Sequence, residues 1–326
     1  METALELKAV TKIFGRTKAV DHIDLVVPRG GMYGFIGPSG AGKTTAIRMI
    51  MSILFPDSGT LSVLGRASAT EAKDRIGYLP EERGVYRKMR VLAFLTFLAQ
   101  LKGVAATAAA ARATKLMAHL GLGDVGQKKC EDLSKGMLQR IQFIGSIINQ
   151  PDLIILDEPF GGLDPVSVRL MKEVIAEENQ RGATILFSTH VMEHAEEMCR
   201  HIVMIHQGRK VLDEPMEGLR RQFDTRTIYL EPLDPAARAG VLESMPMVES
   251  VKESNGGYTI RLGEKSDPAS AMREIVNAIP PARIEFERVR LEDLFIRIVT
   301  GDGLSDEHAT ELRAHLRGLS GAGVGL

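Results

Sequence analysis

The feature that most constrains this chain is a glycine-rich segment of eight residues that follows a short apolar run. The apolar run, MYGFI, spans Met32 to Ile36, and the segment GPSGAGKT occupies positions 37–44. A helical pattern then extends from Lys43 to Leu54. The segment fits the pattern G-x-x-x-x-G-K-[ST], which is informative when a strand precedes it and a helix follows it. The sequence therefore predicts an α/β fold built around a phosphate-binding loop.

The residue types of this loop suit the binding of phosphate groups. Gly40 and Gly42 lack a Cβ atom, so successive amide N–H groups can point toward phosphate oxygens at the start of a helix. We expect Lys43 to place its ammonium on the β- and γ-phosphates and Thr44 to offer its hydroxyl to Mg²⁺. The loop alone leaves open a kinase, a GTPase, a helicase, a motor and a transporter ATPase.

A second motif, LIILDEP from Leu153 to Pro159, is typical of a buried strand that ends in two carboxylates. Asp157 is expected to hold the Mg²⁺ shell, while Glu158 is free to take a proton from an attacking water. Two adjacent carboxylates at the tip of a buried strand are costly without such a role.

A third segment, LSKGMLQR, spans Leu133 to Arg140 at the start of a predicted helix. Ser134 and the amides around Gly136 would form another anion-binding helix end. As an isolated segment it would be a helix cap. Between GPSGAGKT and LIILDEP, it resembles the LSGGQ signature of the ATP-binding cassette (ABC) ATPases, from which Lys135 and Met137 depart.

Further features resemble ABC motifs in the order in which that family carries them. They are Phe14 where an aromatic residue stacks on adenine, GYLPEE (77–82) at the Q-loop, FGGLD (160–164) at the D-loop and STH (188–190) at the switch histidine. Together with the three segments above, these motifs cover residues 1 to about 215, so the resemblance is specific.

The resemblance implies an ABC-type nucleotide-binding domain that uses ATP and Mg²⁺ in a head-to-tail dimer. ATP on the loop of one chain would be closed over by the signature segment of the other, so neither chain alone would be a complete enzyme. Glu158 would polarise the water, and His190 would contact the γ-phosphate. The expected ATP-binding residues are Phe14, Gly37, Pro38, Ser39, Gly40, Ala41, Gly42, Lys43, Thr44 and Thr45. The expected contacts in trans are Leu133, Ser134, Lys135, Gly136 and Met137, and the D-loop supplies Gly162, Leu163 and Asp164.

One departure from the family lies at Glu81, where ABC ATPases usually carry Gln. A carboxylate can ligate Mg²⁺, because hard cations favour oxygen ligands. It also adds negative charge beside the γ-phosphate. The expected metal ligands are thus Thr44, Asp157 and Glu81.

The order of predicted elements divides the chain into a cassette, an appendage and a tail. Residues 1–215 form the ATP-binding domain, and a helical subdomain lies at about 86–150 because no good strand appears between Val91 and Gln150. Residues 216–300 follow the order strand, helix, strand, strand, helix, strand, which is a ferredoxin-like α+β pattern. Residues 301–326 are expected to be a flexible tail. The six predicted elements of the appendage are Thr227–Glu231, Pro235–Leu242, Val248–Val251, Tyr258–Leu262, Pro268–Ala278 and Arg283–Val289, with a further helix at Leu291–Val299.

The run PEERGVYRKM (80–89) and the appendage are similar to the ATPase subunits of bacterial sodium-efflux and drug-resistance ABC exporters. This resemblance implies an ATP-hydrolysing subunit that moves a separate integral membrane subunit, paired with itself or with a related ATPase subunit. The apolar residues between Glu82 and Leu101 are expected to form much of the surface for that membrane subunit.

The chain itself is not expected to cross a membrane. Its most apolar stretch, Val91 to Leu101, has 11 residues, and a helix of that length spans about 16 Å against a bilayer core of about 30 Å. The N-terminal sequence METALELKAV has no basic patch followed by an apolar block. We therefore expect a cytoplasmic protein on the cytoplasmic face of the membrane.

The charge balance disfavours nucleic-acid partners. The chain has 41 Lys and Arg against 42 Asp and Glu, a formal net charge of −1. The alternative reading is a soluble ABC ATPase that acts on ribosomes or DNA, but such proteins usually carry two cassettes or a long coiled coil between loop and signature. A small-molecule kinase would leave LSKGM and the Asp157–Glu158 pair unexplained.

Overall fold

The computed structural model describes residues 2–82, 84–222, 226–234, 239–254, 256–263, 265–287 and 290–300. These residues divide into two compact units, which we describe separately. The first contains the described residues up to Met216 and from Phe295, and the second contains those from Glu217 to Leu294. The predicted tail at 301–326 lies outside the described residues.

The first unit contains two sheets, six complete α-helices and the described residues 295–300 of a further helix. Its strands are β1 (Thr3–Phe14), β2 (Thr17–Pro28), β3 (Met32–Ile36), β4 (Ser58–Val63), β5 (Ile76–Leu79), β6 (Leu153–Asp157), β7 (Thr184–Thr189), β8 (His201–His206) and β9 (Arg209–Pro215). Its helices are α1 (Lys43–Ile50), α2 (Val91–Leu101), α3 (Ala106–His119), α4 (Lys135–Ile147), α5 (Pro165–Gln180) and α6 (Met192–Met198). Helix α7 (Met216–Gln222) begins at the junction with the second unit.

The larger sheet has the strand order β5-β6-β7-β3-β8-β9, and only the β8–β9 pair is antiparallel. The strands β3, β6 and β7 are buried along their whole length, as expected for parallel strands that are covered on both faces. The carboxyl ends of the parallel strands lie at one edge of the sheet. The segments that follow β3, β5, β6 and β7 therefore meet at this edge.

The smaller sheet is antiparallel, with the order β2-β1-β4. Its inward side chains, such as Leu5 and Ile23, belong to the same buried cluster as Phe35 of β3 and Ile47 and Ile50 of α1. Helix α1 thus packs into the core that the two sheets share, which fixes the loop at its N-terminus.

The segment between β5 and β6 is helical, as the sequence predicts. Helices α2, α3 and α4 occupy it, and no strand lies between Val91 and Gln150, a stretch that the structure describes throughout. Much of the apolar surface of α2 is buried, including Phe94 and Leu95, so the predicted docking segment exposes only part of its apolar residues, notably Tyr86.

The second unit is an antiparallel four-stranded sheet with two helices. Its elements are β10 (Thr227–Pro232), α8 (Gly240–Glu243), β11 (Val248–Ser254), β12 (Gly257–Leu262), α9 (Pro268–Ala278) and β13 (Pro281–Phe286). The sheet order β11-β12-β10-β13 is that of the predicted ferredoxin-like unit. Ile228, Leu230, Ile260 and Ile275 form its fully buried centre. Helix α10 (Leu291–Thr300) follows.

Two predicted elements of this unit include residues that the structure does not describe. The helix predicted at Pro235–Leu242 is helical from Gly240, and residues 235–238 lie outside the description. The strand predicted at Arg283–Val289 ends at Phe286, and residues 288 and 289 also lie outside it. No helix in the described part of the chain has the length and apolar character needed to span a bilayer.

Candidate functional site

The glycine-rich loop between β3 and α1 requires glycine at two close contacts. Gly37 and Gly42 have φ angles of 154° and 107°. A Cβ on Gly37 would lie 2.2 Å from the carbonyl oxygen of Ile205, and one on Gly42 would lie 2.2 Å from that of Ala19. At the tip of the loop, Gly40 has φ 77° and no atom within 4 Å of its Cβ position, so the backbone there is open to a ligand.

Other residues of the loop differ in exposure. Ser39 and Gly40 are exposed, Ala41 is buried, and Pro38, Thr44 and Thr45 are half-buried. Helix α1 begins at Lys43 with neither a side-chain cap nor an acidic residue in its first turn. Its free N–H groups and dipole therefore favour an anion at this end.

Lys43 is the buried cation of the loop. Its side chain is 6% exposed, and Nζ donates to the carbonyl oxygens of Gly37 at 2.8 Å and Pro38 at 3.0 Å. Burial lowers the pKa of Lys43, while the negative charges of Glu158 and Asp157 oppose this shift. The ammonium thus faces the carboxylates of the site from within the loop.

Asp157 ends β6 and is buried, with 1% exposure. Its Oδ1 accepts a hydrogen bond from the Ser188 hydroxyl at 2.9 Å, whereas Oδ2 has no hydrogen-bond partner among the described residues. Burial raises the pKa of Asp157, and hydroxyl groups of Ser188 and Thr44 act in the opposite direction. A buried carboxylate oxygen without a donor is suited to a cation.

Glu158 is held in an unusual backbone conformation by its neighbours. Its φ of 49° lies in the left-handed region, and its N–H donates to the carbonyl oxygen of Ser188 at 3.0 Å. The carboxylate accepts three hydrogen bonds, from the Thr189 hydroxyl at 3.2 Å and from the backbone N–H and Nδ1 of His190, both at 2.8 Å. The bond to Glu158 raises the pKa of His190, although partial burial opposes it. The predicted base and switch histidine therefore form one hydrogen-bonded unit.

Glu81 lies two residues after β5, and its carboxylate is exposed. Its negative charge contributes to the raised pKa values of Asp157 and His190, after larger effects, and also acts on Lys43. The adjacent Glu82 instead pairs with Arg48 at 2.9 Å. Of these two carboxylates, Glu81 is thus the one whose charge acts on the pKa values of the site residues.

The signature segment forms the exposed start of α4. The Ser134 hydroxyl oxygen accepts from the backbone N–H of Met137 at 3.3 Å and caps the helix, Leu133 is buried, and Lys135 is exposed. A Cβ on Gly136 would lie 3.4 Å from Cδ2 of Leu163 in the D-loop. No hydrogen bond or ion pair joins Ser134 or Lys135 to residues 37–45 within the described chain.

The D-loop ends in a helix cap. Asp164 accepts from the backbone N–H of Ser167 at 2.9 Å and from its hydroxyl at 2.6 Å. These bonds hold the pKa of Asp164 below its usual range and start α5. Gly162 is exposed just before it.

Phe14 lies at the end of β1 and is 49% exposed. The Lys12 ammonium lies 5.6 Å from the centroid of its ring. The exposed ring has the character needed for stacking on a flat ligand group.

Sequence reasoning did not assign carboxylate partners to Ser188 and Thr189. Both lie at the end of β7, where Ser188 pairs in register with Asp157. The signal for them was the pair of hydroxyl residues before His190, but only the strand register shows which carboxylates they meet.

A cradle of backbone amides before a helix, a buried lysine and a strand that ends in carboxylates define a phosphate-loop nucleotide-binding protein. The family model described as ABC transporter matches residues 20–161, and the model described as ATP-binding protein DrrA1-3-like, C-terminal domain, matches residues 215–299. The chain is 38% identical over 297 residues to the uncharacterized ABC transporter ATP-binding protein YhaQ of Bacillus subtilis, covering 90% of this chain and 98% of that protein. The chain therefore belongs to the family of ABC transporter ATP-binding proteins.

Other similarities agree with this assignment. The chain is 30% identical to the bacitracin transport ATP-binding protein BcrA of Enterococcus faecalis, covering 94% of this chain and 99% of that protein. It is 35% identical to the Nod factor export ATP-binding protein I of Cupriavidus metallidurans, covering 72% and 80%, respectively. A solved ATP-binding subunit of an ABC transporter superposes with a TM-score of 0.63 at 30% identity, covering 68% of this chain and 93% of that one. The predicted fold class and family are thus confirmed, and the chain is an ABC-type ATPase subunit of a transporter.

Proposed function

We propose that this chain hydrolyses ATP with Mg²⁺ at the edge of the larger sheet and thereby drives export through a separate membrane subunit. The observation that carries this proposal is the Glu158 carboxylate, which is held by Thr189 and His190 directly after the buried Asp157. The site combines a group able to accept a proton with a carboxylate suited to a cation, beside a loop suited to phosphates.

In the proposed mechanism the residues of the loop bind the nucleotide. The amides of 37–45 and the start of α1 hold phosphate oxygens, and Lys43 exchanges its bonds to loop carbonyls for phosphate oxygens. The Phe14 ring stacks on the adenine. The glycines at 37 and 42 keep the loop close to Ile205 and Ala19, which orients the amides before ligand arrives.

Glu158 acts as the base in this proposal. Its carboxylate is oriented by two side chains, so it can accept a proton from a water aligned with the γ-phosphate. The Nδ1 and the backbone N–H of His190 both donate to the same oxygen of Glu158, which supports a role for the imidazole beside the reacting phosphate. The raised pKa of His190 favours the charged imidazolium, which would stabilise negative charge on that phosphate.

The residues present fit Mg²⁺. Among the described residues no group of three or more His, Cys, Asp or Glu is arranged to hold a metal, but nucleotide-bound Mg²⁺ takes only one or two protein carboxylates besides phosphates and waters. Asp157 with its free Oδ2 and Thr44 would hold it, and Glu81 would add a charged ligand from the end of β5. When bound, the ion neutralises charge on the β- and γ-phosphates.

We further propose that two chains pair head to tail. The signature residues from Leu133 to Met137 present an exposed helix start that makes no hydrogen bond or ion pair to the loop of its own chain in the described residues. This surface suits the γ-phosphate held by a second chain. The D-loop approaches this surface at Leu163, whose Cδ2 would lie 3.4 Å from a Cβ on Gly136, and we propose that Gly162, Leu163 and Asp164 take part in the dimer contact.

A membrane subunit would bind this dimer at the cytoplasmic face of the membrane. Three exposed apolar side chains support a docking surface, namely Ile53, Phe55 and Tyr86. The ion pair between Arg48 of α1 and Glu82 joins the helix before Ile53 to the start of the predicted docking segment. Export is supported by the relatives named for Nod factor export and bacitracin transport.

We propose the ranges 1–215 and 216–300 as the ATP-binding and accessory domains.

ATP turnover by two variants tests the catalytic part of this proposal. Glu158→Gln should lower turnover by about 100-fold or more, because a positioned base contributes that much, and it should retain ATP binding. Lys43→Ala should lose ATP binding itself. Matched controls are the exposed Glu177→Gln and Lys115→Ala, which should turn over like the wild type. Undiminished hydrolysis by Glu158→Gln would remove that residue from its role.

The transport part is tested by isolating the protein from gently solubilised native membranes and identifying its partners by mass spectrometry. Recovery of a polytopic membrane protein in near-equal amount supports the proposal. Recovery of ribosomal or DNA-bound partners only, from a chain that hydrolyses ATP, would contradict it.

A further inference from the structure

Helix α4 connects the signature segment with the residues that follow strands β5 and β6. Its buried face carries Gln139, Gln142 and Ser146, which recur at helical spacing. Near its end the helix packs directly on β5, since a Cβ on Gly77 would lie 2.1 Å from the carbonyl oxygen of Ser146. A helix in such close contact transmits displacement because packed interiors are not compressible.

Gln139 links this helix to the residue after the proposed base. Its side chain is 2% exposed, and Nε2 donates to the carbonyl oxygen of Pro159 at 3.1 Å. Pro159 follows Glu158 directly and cannot donate a hydrogen bond in return. The bond therefore holds the peptide unit between Pro159 and Phe160, the second peptide unit after the proposed base.

Gln142 links the same helix to the segment after β5. Its side chain is 8% exposed, and Nε2 donates to the carbonyl oxygen of Gly84 at 3.2 Å, three residues after Glu81. Its Oε1 is buried and has no partner among the described residues. A buried amide with one unsatisfied atom costs free energy, so stability alone does not favour glutamine at position 142.

We infer that Gln139 and Gln142 are positioning residues for hydrolysis, which tie the signature helix to Glu158 and to the Glu81 segment. One to two turns beyond Ser134, the two amides bind the segments that follow β6 and β5 to α4. Engagement of Ser134 by a second chain then sets the position of the base and of the Glu81 carboxylate together. This inference rests on the proposed function of Glu158 and Ser134.

Steady-state kinetics of the full chain test it with Gln139→Met and Gln142→Met. Methionine keeps the length of glutamine but donates no hydrogen bond. Each variant should lose about five-fold in kcat, the rate equivalent of one hydrogen bond, with the KM for ATP close to wild type and the Tm lowered by a few degrees at most. The control Gln100→Met lies on the exposed side of α2 and should match the wild type in all three quantities. If Gln139→Met does not fold, Gln142→Met makes the same measurement.

A double variant separates positioning from packing. Residues that act as one unit are strongly non-additive, so Ser134→Ala combined with Gln139→Met should lose little more kcat than the worse single variant. Three outcomes would overturn the inference while the wild type still hydrolyses ATP. They are losses in kcat that multiply in the double variant, a rise in KM without a change in kcat, and wild-type kcat in both methionine variants. Absence of turnover in the wild type would instead overturn the proposed function, and this inference with it.

Discussion

The two adjacent carboxylates at the end of β6 meet different surroundings, and this difference separates their roles. Burial raises the pKa of Asp157, and its Oδ2, which has no hydrogen-bond donor among the described residues, is suited to a cation. Glu158 follows the strand with a positive φ, and its carboxylate accepts hydrogen bonds from Thr189 and His190. A strained residue that its neighbours hold in place is typical of a functional site.

The raised pKa of Asp157 leads to a prediction about stability and pH. In the folded chain the charged carboxylate is disfavoured, so the stability that the neutral form supplies is lost as pH rises through the folded pKa. Without nucleotide or Mg²⁺, Asp157→Asn should therefore increase the free energy of unfolding at pH 7 by about 1 kcal/mol. The gain should shrink as pH falls toward about 4, the ordinary carboxyl pKa. Urea unfolding at several pH values measures this, and the variant should also lose stabilisation by Mg²⁺ and ATP.

Asp213 provides a control of opposite sign. Burial raises its pKa, but hydrogen bonds from His201 and Lys210 outweigh this and lower it below the ordinary value. Asp213→Asn should thus destabilise the protein at pH 7, with an effect that fades as pH falls through the folded pKa. If the two variants changed the free energy of unfolding at pH 7 in the same direction, this would contradict the conclusion that the charged form of Asp157 is disfavoured in the folded chain.

At the scale of elements, apolar pattern predicts positions better than ends. Strand β3 and helix α9 have the bounds that the sequence predicts. Helix α1 was predicted to reach Leu54 but ends at Ile50, since Ser52 adopts a φ of 56° and the N–H groups of Ile53 and Leu54 both donate to the Arg48 carbonyl oxygen. Apolar residues continue past this turn, so periodicity alone does not reveal the helix end.

For the candidate site, motifs predict the residues but not the hydrogen bonds between them. Motifs predicted the residues Lys43, Asp157, Glu158 and His190, because their types and spacing are tied to strand ends. The bonds between Ser188 and Asp157, and between Gln139 and Pro159, depend on strand register and on the packing of α4. A sequence contains no direct signal for such contacts between distant segments.

The fit of the phosphate loop against β2 gives a prediction for glycine substitution. Gly42 and Gly182 have nearly equal φ angles of 107° and 105°, but only Gly42 has a backbone oxygen at 2.2 Å from its Cβ position. Gly182→Ala should cost about 1 kcal/mol in unfolding free energy from backbone strain alone. Gly42→Ala should cost more, about 3 kcal/mol, because the loop must move away from Ala19. Urea unfolding and ATP titration check both, and retained ATP binding by Gly42→Ala would contradict the proposed loop geometry.

At the scale of the whole molecule, the proposed dimer requires that the two halves of each ATP site come from different chains. A two-fold interface uses the same surface on both subunits, so each dimer would contain two such sites. The exposed start of α4 and the open tip of the loop at Gly40 are surfaces of one chain that each need a partner. In this arrangement, a substitution in the signature of one chain impairs the ATP site on the loop of the other chain.

Mixing two inactive variants tests that arrangement. Lys43→Ala removes ATP binding on the loop, and Ser134→Arg blocks the signature, so each homodimer has two defective sites. In a mixed dimer, the loop of the Ser134→Arg chain meets the intact signature of the Lys43→Ala chain, which restores one site. Equal mixing with free exchange should therefore recover up to about a quarter of wild-type turnover. Phosphate release from the mixture measures it, with Lys43→Ala mixed with Glu158→Gln as the matched comparison. In that pair the Glu158→Gln chain supplies the only loop that binds ATP, so no complete site forms and turnover should stay low. Equal failure of both mixtures would place loop and signature function within a single chain.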